Sequence, residues 1–205
     1  KLRRELSFNH EWHIGTADPK YFAYDLSFYY NTYKDYIEPL YGVQKVFLDG
    51  QNRDVAYSIN ENKKNARLWG IDFSTSLFLE ELLPQLKRAG QFMLTGSLNY
   101  SEGRFSDGTS MLAIQPLKAV LGLDSALPKE RAGISLRANF LKAKDVDQTR
   151  FVKSFYGDEQ ISQFPYYFFQ NAVTVDLFAY VKLAKHFTLR ASIMNLTDTR
   201  YWLWD

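Results

Sequence analysis

Residues 172–194 set a pattern from which the rest of the chain can be read. Val173, Val175, Leu177, Ala179 and Val181 alternate with Thr174, Asp176 and Tyr180. Successive strand side chains face opposite sides of a sheet, so the first set shares one face and the second the other. After a polar turn at residues 183–186, Phe187, Leu189, Ala191 and Ile193 alternate with Thr188, Arg190 and Ser192. This predicts a β-hairpin with one apolar face and one face that carries an acid and a guanidinium.

The same period recurs upstream. In residues 2–14, Leu6, Phe8, His10, Trp12 and Ile14 oppose Glu5, Ser7, Asn9, Glu11 and His13. Phe22, Tyr24, Leu26, Phe28 and Tyr30 mark a second strand, against Tyr21, Asp25, Ser27 and Asn31. Residues 67–79 set Trp69, Ile71, Phe73, Thr75, Leu77 and Leu79 against Gly70, Asp72, Ser74 and Ser76, and residues 91–100 repeat the motif. Leu117, Ala119, Leu121 and Leu123 mark a fifth strand; Ala132, Ile134, Leu136, Ala138 and Phe140 mark a sixth, opposed by Ser135, Arg137 and Asn139. With the C-terminal hairpin this makes about eight strands.

Between them, short connections (residues 15–19, 80–88, 126–130 and 183–186) alternate with long ones (34–65, 101–115, 142–163 and 195 onward). Residues 80–88 are expected to coil into one helical turn before Pro84. Residues 34–65 show no sustained period despite an Asp49-Gly50 turn signal, and are expected to form a long loop. In an up-and-down meander this alternation puts every short turn at one end and every long loop at the other. Outer-membrane barrels are built that way, with short periplasmic turns and longer extracellular loops. The fold class expected is therefore all-β: an antiparallel up-and-down transmembrane barrel portion. Asp25, Asp72, Asp124, Arg137, Asp176 and Arg190 fall on the polar face and would look into a wet or plugged lumen, since lipid is a costly environment for them. A soluble β module with solvated strand faces is the rival reading.

Composition narrows this further. The 205 residues contain no cysteine, which removes disulfides and thiolate metal sites. The formal net charge of +2 lacks the basic excess of a dedicated nucleic-acid binder. No apolar run approaches the roughly 20 residues of a membrane helix, but a barrel strand needs only about 9 to 11. Aromatics make up 17% of the chain, which suits interfacial girdles and would equally suit an aromatic core. The chain begins at Lys1 without a secretory signal, so a mature or truncated segment is expected.

Four segments then carry a resemblance. Residues 195–202 (NLTDTRYW), 29–37 (YYNTYKDYI), 66–73 (ARLWGIDF) and 114–123 (IQPLKAVLGL) occur in order. Together they are similar to TonB-dependent outer-membrane receptors, in the branch that takes up haem or iron from haemoglobin, haemoglobin with haptoglobin, transferrin or lactoferrin. The resemblance spans essentially the whole chain and implies residues 1–205 of a C-terminal barrel portion, about eight strands of a 22-stranded barrel. The plug domain and the last strand or two would be absent. It implies the cell outer membrane of a Gram-negative bacterium, with the TonB complex, outer-membrane lipids and a host carrier (haemoglobin, haem or transferrin) as partners. Haem or iron would be cargo, with no covalently bound cofactor. A passive pore would share the wall pattern but would not need the motifs at Arg67 to Phe73 and Asn195 to Trp202.

The candidate ligand contacts are aromatic residues in the long connections: Tyr36, Tyr41, Tyr57, Phe155, Tyr156, Trp202 and Trp204. Such side chains dominate protein contacts, and tyrosine can bind haem iron; rim aromatics at the membrane interface are the plainer reading. His10, His13 and His186 are expected in interfacial or turn roles, and no metal site is assigned. Lys142, Lys144, Arg150 and Lys153 form a mildly basic loop whose favoured reading is a solvated one. The Asn195-Leu196-Thr197 glycosylation match is expected to be coincidental. Catalysis has little support: strand alternation separates His10 from Ser7 and Asn9, and no phosphate-binding glycine loop, HExxH or paired-cysteine site occurs.

Overall fold

The computed structural model describes residues 2–62, 65–111, 114–115, 117–143 and 170–201. Among them the chain forms strands β1 (Leu6–Gly15), β2 (Phe22–Lys34), β3 (Ile37–Leu48), β4 (Gln51–Asn62) and β5 (Ala66–Phe78). Then follow β6 (Gln91–Phe105), β7 (Leu117–Ala126), β8 (Ala132–Leu141), β9 (Ala172–Ala184) and β10 (Phe187–Ile193). Eight of these make one sheet in the order β1-β2-β5-β6-β7-β8-β9-β10, and β3 pairs only with β4. Every pairing is antiparallel. With the β3–β4 hairpin set aside, each strand lies beside its neighbour in sequence, which is the up-and-down meander that the alternation predicts. The sheet is open: β1 and β10 are its edges.

Register carries the two faces across the sheet. Trp12 is opposite Phe28, Phe28 opposite Ile71, Ile71 opposite Tyr100 and Tyr100 opposite Leu117. One residue along, His13, Ser27, Asp72, Asn99 and Lys118 form the corresponding polar row. Among the described residues nothing packs on the apolar face: Phe8 is 71% exposed and Leu121 70%. Water penalises such a surface by about 25 cal/mol per Å². A compact apolar cluster stands at the long-connection end, where Ala66, Phe105 and Met111 pack with Tyr33, Tyr36 and Ile114.

The short connection after β5 does coil, into helix α1 (Leu79–Leu82) and a 3-10 turn, Pro84–Arg88. Glu80 Oε2 accepts the Phe92 N–H at 2.9 Å and fastens this turn to the start of β6.

The structure corrects three expectations. Residues 34–65 are no loop: β3 and β4 pair from Ile37 opposite Asn62 to Leu48 opposite Gln51. Asp49 and Gly50 turn the chain with φ of 49° and 77°. Positive φ at both central residues is the type I′ geometry whose twist matches a hairpin. Periodicity missed it because a hairpin wet on both faces has no reason to alternate. Second, β6 runs on to Phe105, because Phe105 closes the apolar cluster and its N–H is held by Thr109 O at 2.8 Å. Third, β1 starts at Leu6, and residues 2–5 are engaged elsewhere.

Candidate binding surface

The polar face is a network as well as a pattern. Arg137 Nη2 donates to both oxygens of Asp124, at 2.7 and 2.9 Å, and Ser135 Oγ donates to the same carboxylate at 2.5 Å. One guanidinium nitrogen thus serves both carboxylate oxygens, a charge-assisted contact stronger than a neutral hydrogen bond. Asn99 Nδ2 donates to Asp72. Asp176 accepts from Asn139 Nδ2 at 2.8 Å and from the Asn195 N–H at 2.7 Å. His13 bridges Asp25 and Ser27, each at 3.0 Å. Arg190 lies opposite Tyr180 on the edge strand.

Thus Asp25, Asp72, Asp124, Arg137, Asp176 and Arg190 share one face with Lys118, a cation that the sequence reading passed over. Its position beside the apolar Leu117 and Ala119 was the available signal.

Small residues let this face lie close. Tyr29 is directly opposite Gly70, Arg137 opposite Gly122 and Tyr180 opposite Gly133. A Cβ on Gly70 would stand 2.3 Å from the Tyr29 ring, and one on Gly122 would stand 2.7 Å from Arg137 Nη1. Each long side chain therefore lies across its cross-strand glycine, a close approach only that residue permits. Tyr29 goes on to reach Ser101 Oγ at 2.7 Å, and Arg137 reaches Asp124.

At the long-connection end the β3–β4 hairpin is clamped from residues that precede β1. Arg3 pairs with Asp35 at 2.6 Å, and its N–H donates to Asn62 Oδ1 at 2.6 Å. Asn62 Nδ2 donates in turn to Arg3 O and Asp35 O, at 3.0 and 2.7 Å. Glu5 Oε2 accepts the Ile37 N–H at 2.8 Å. Both strands of the hairpin are thereby fixed at their base, and among the described residues those beside its turn are exposed. Phe47 beside the turn is 70% exposed, and Leu48 and Ile59 are also exposed. Phe47 was missed in the sequence because its segment was read as loop without a face.

The candidate aromatics separate. Tyr36 is half-buried, edge-on to Tyr33 at 5.3 Å and to Phe105 at 5.7 Å. Burial first, then the charges of Glu5, Tyr33 and Glu38, push its phenol above the ordinary tyrosine range. A metal-ligating phenol must lose its proton, so this environment opposes that role. Tyr41 and Tyr57 lie on β3 and β4, opposite Ser58 and Gly42, not in a loop. Phe155, Tyr156, Trp202 and Trp204 lie outside the described residues, as do Lys144, Arg150 and Lys153. His10 stacks on Trp12 on the apolar face, with ring centroids 6.0 Å apart.

The 195–201 segment is a stitched turn. Asn195 Oδ1 accepts from the Thr199 N–H at 3.1 Å and from Thr197 Oγ1 at 3.0 Å, while Asn195 Nδ2 donates to Thr199 O at 3.0 Å. Thr197 and Thr199 hydroxyls both donate to Val173 O, and Leu196 N–H donates to Val175 O at 2.7 Å. The motif thus folds the chain back onto β9 after β10 ends. Its side-chain amide is already engaged within the turn.

A single-layer antiparallel meander with one lipid-compatible face, one ion-paired face and all its short turns at one end is a section of β-barrel wall. The family model described as "TonB dependent receptor-like, beta-barrel" matches residues 5–196, and the chain belongs to that family. It is 31% identical over 147 residues to a hemoglobin and hemoglobin-haptoglobin-binding protein A of Haemophilus influenzae, a match covering 71% of this chain and 13% of that protein. To a hemoglobin and hemoglobin-haptoglobin-binding protein of Haemophilus ducreyi it is 29% identical over 221 residues, covering 100% of this chain and 22% of the relative. The copper transporter OprC has a similar fold, with a TM-score of 0.70 at 16% identity over 98% of this chain and 27% of that structure. The chain therefore spans less than a quarter of the length of the two relatives it matches.

Proposed function

We propose that the chain is a section, toward the C-terminal end, of the wall of an outer-membrane receptor that takes up haem or iron from a host carrier such as haemoglobin, driven by the TonB complex. Its relatives are named for carrier binding and none is named as an enzyme among those described. The observation that carries the reading is the match to haemoglobin-binding proteins across a sheet whose eight strands share one apolar face and one polar, partly ion-paired face.

In this reading the work is done without covalent chemistry. The apolar face meets lipid. Asp25, Asp72, Asp124, Arg137, Asp176 and Arg190 line the lumen, where their charges hold a plug domain supplied by the rest of the receptor. The long-connection end is extracellular, and the β3–β4 hairpin reaches out with Phe47 and Leu48 as apolar contacts for the carrier; Tyr41 and Tyr57 remain candidates on the same hairpin.

The test is growth of an iron-starved, haem-deficient outer-membrane host that expresses the full-length receptor, on haemoglobin, haem or transferrin, with and without TonB. TonB-dependent growth on one source is expected. Stable insertion without growth on any source, together with ion conductance in a bilayer, overturns the reading in favour of a passive pore. Phe47→Ala is expected to weaken carrier binding by about tenfold, as loss of an exposed aromatic contact does, with receptor abundance unchanged.

A further inference from the structure

A strand edge is a row of N–H and C=O groups that templates another strand unless it is paired, covered or blunted. The wall's own edges, β1 and β10, fall to the remainder of a closed barrel. The β3–β4 hairpin differs, because among the described residues β4 pairs only with β3. Its second edge points away from the hairpin.

Register tells which backbone groups that edge offers. The two-residue turn at Asp49-Gly50 makes Leu48 and Gln51 a hydrogen-bonded pair, and non-bonded and bonded pairs then alternate along the hairpin. Arg53, Val55, Tyr57 and Ile59 therefore direct their N–H and C=O to β3, while Asn52, Asp54, Ala56, Ser58 and Asn60 direct theirs outward. The base of the hairpin agrees with this phase. Ile37, opposite Asn62, is an outward position of β3, and its N–H is the one that reaches Glu5 Oε2 at 2.8 Å.

The two edges are unequal. On β3 the outward row begins with that occupied N–H, continues with Pro39, which has none, and includes Lys45. Proline and lysine are residues that blunt a sheet edge. The outward row of β4 from Asn52 to Asn60 contains neither. Side chains along it alternate, with Val55, Tyr57 and Ile59 on one face and Asn52, Asp54, Ser58 and Asn60 on the other. Ile59 is 52% exposed, so the apolar row is open to contact.

We infer that the outward edge of β4 receives an extended segment of the host carrier as an added strand. Main-chain bonds to the outward row supply the affinity, and alternate side chains supply the choice of segment. The incoming strand sets apolar side chains beside Val55, Tyr57 and Ile59 and polar ones beside Asn52, Asp54 and Ser58, and has no proline among the residues that bond to β4. This deepens the uptake reading and rests on it: Phe47 and Leu48 at the tip make first contact, and the edge behind them holds the carrier.

The test uses the full-length receptor in detergent, incubated with haemoglobin, with the haemoglobin–haptoglobin complex or with transferrin, and amide exchange resolved residue by residue over 37–62. A bound carrier is expected to slow exchange roughly tenfold at Asn52, Asp54, Ala56, Ser58 and Asn60, as one added hydrogen bond each would do, with Arg53, Val55 and Tyr57 unchanged. Ser58→Pro removes an outward N–H and no bond to β3, and is expected to weaken carrier binding roughly tenfold. Val43→Pro, at an outward position of β3, is expected to bind like wild type. Carrier bound with protection on β3 alone, or on both sets of β4 residues alike, overturns the inference and leaves the uptake reading standing, as does equal loss in the two proline variants. The alternating protection in receptor without carrier overturns it in favour of β4 pairing with a second copy. No binding by any of the three carriers overturns the inference and the uptake reading together. If either proline loosens the hairpin, seen as faster exchange at Arg53, Val55 and Tyr57 without carrier, the wild-type exchange pattern decides alone.

Discussion

The eight-stranded wall and the β3–β4 hairpin are both antiparallel β-structure, yet they are held by different means. In the wall, register is pinned by two unlike environments: a slip of one residue would carry Asp72 and Asp124 to the apolar face and Phe73 and Leu123 to the polar one. In the hairpin both faces meet water, so a slip costs little by burial. Its register depends instead on the Asp49-Gly50 turn and on the clamp of Arg3, Glu5 and Asn62 at its base. Structure imposed by environment should thus be hard to displace by a single polar change, whereas structure imposed by local bonds should fail locally.

That contrast can be broken first at Gly122. Valine there would drive its Cβ to 2.3 Å from Thr95 Oγ1 and displace Arg137 from Asp124. A loss of about 3 kcal/mol is expected, as for overpacking combined with a broken pair, read as a lower urea midpoint and less heat-resistant folded band for the full-length receptor. An unchanged midpoint would mean that the close cross-strand approach is dispensable.

Asn195→Ala should cost about 1–2 kcal/mol, since it removes the bonds that close the turn and leaves polar groups unmatched. The change should show as protease cleavage around residues 195–201 with the rest of the wall still protected. Cleavage spread across β9 and β10 would instead show that this turn sets the register of the edge strands.

A third substitution, Gly50→Val, forces a β-branched residue to φ near 77°. About 1–2 kcal/mol of strain is expected, confined to the hairpin and visible as faster amide exchange at residues 37–62 with no change in membrane insertion. Smallest is Arg3→Ala. Its ion pair with Asp35 is exposed on the arginine side, so about 0.5 kcal/mol is expected. Hairpin protection should fall slightly, and in wild type the same protection should weaken as salt is raised.

The wall was legible because its two faces differ in polarity, so apolar and polar residues alternate along each strand. Val173 to Val181 and Thr174 to Tyr180 could be sorted by parity alone, and parity also put Asp124 and Arg137 on one face. The candidate contacts were less legible. Tyr36 reads in sequence like any loop aromatic, and only packing against Tyr33 and Phe105 shows it to be a structural support. Phe47 carried no pattern at all, since exposure at the tip of a hairpin leaves no periodic trace.

By itself the sequence determined the number of wall strands, their order and their faces, because each follows from local alternation and from the spacing of turns. It also held the type I′ turn at Asp49-Gly50, though not the strands on either side. Tertiary structure decided what depends on residues far apart in the chain: Arg3 closing the hairpin onto Asn62, Tyr29 lying across Gly70, and Arg67 meeting Arg104. Those contacts are set by register between strands, and register is a property of the sheet, not of any one strand.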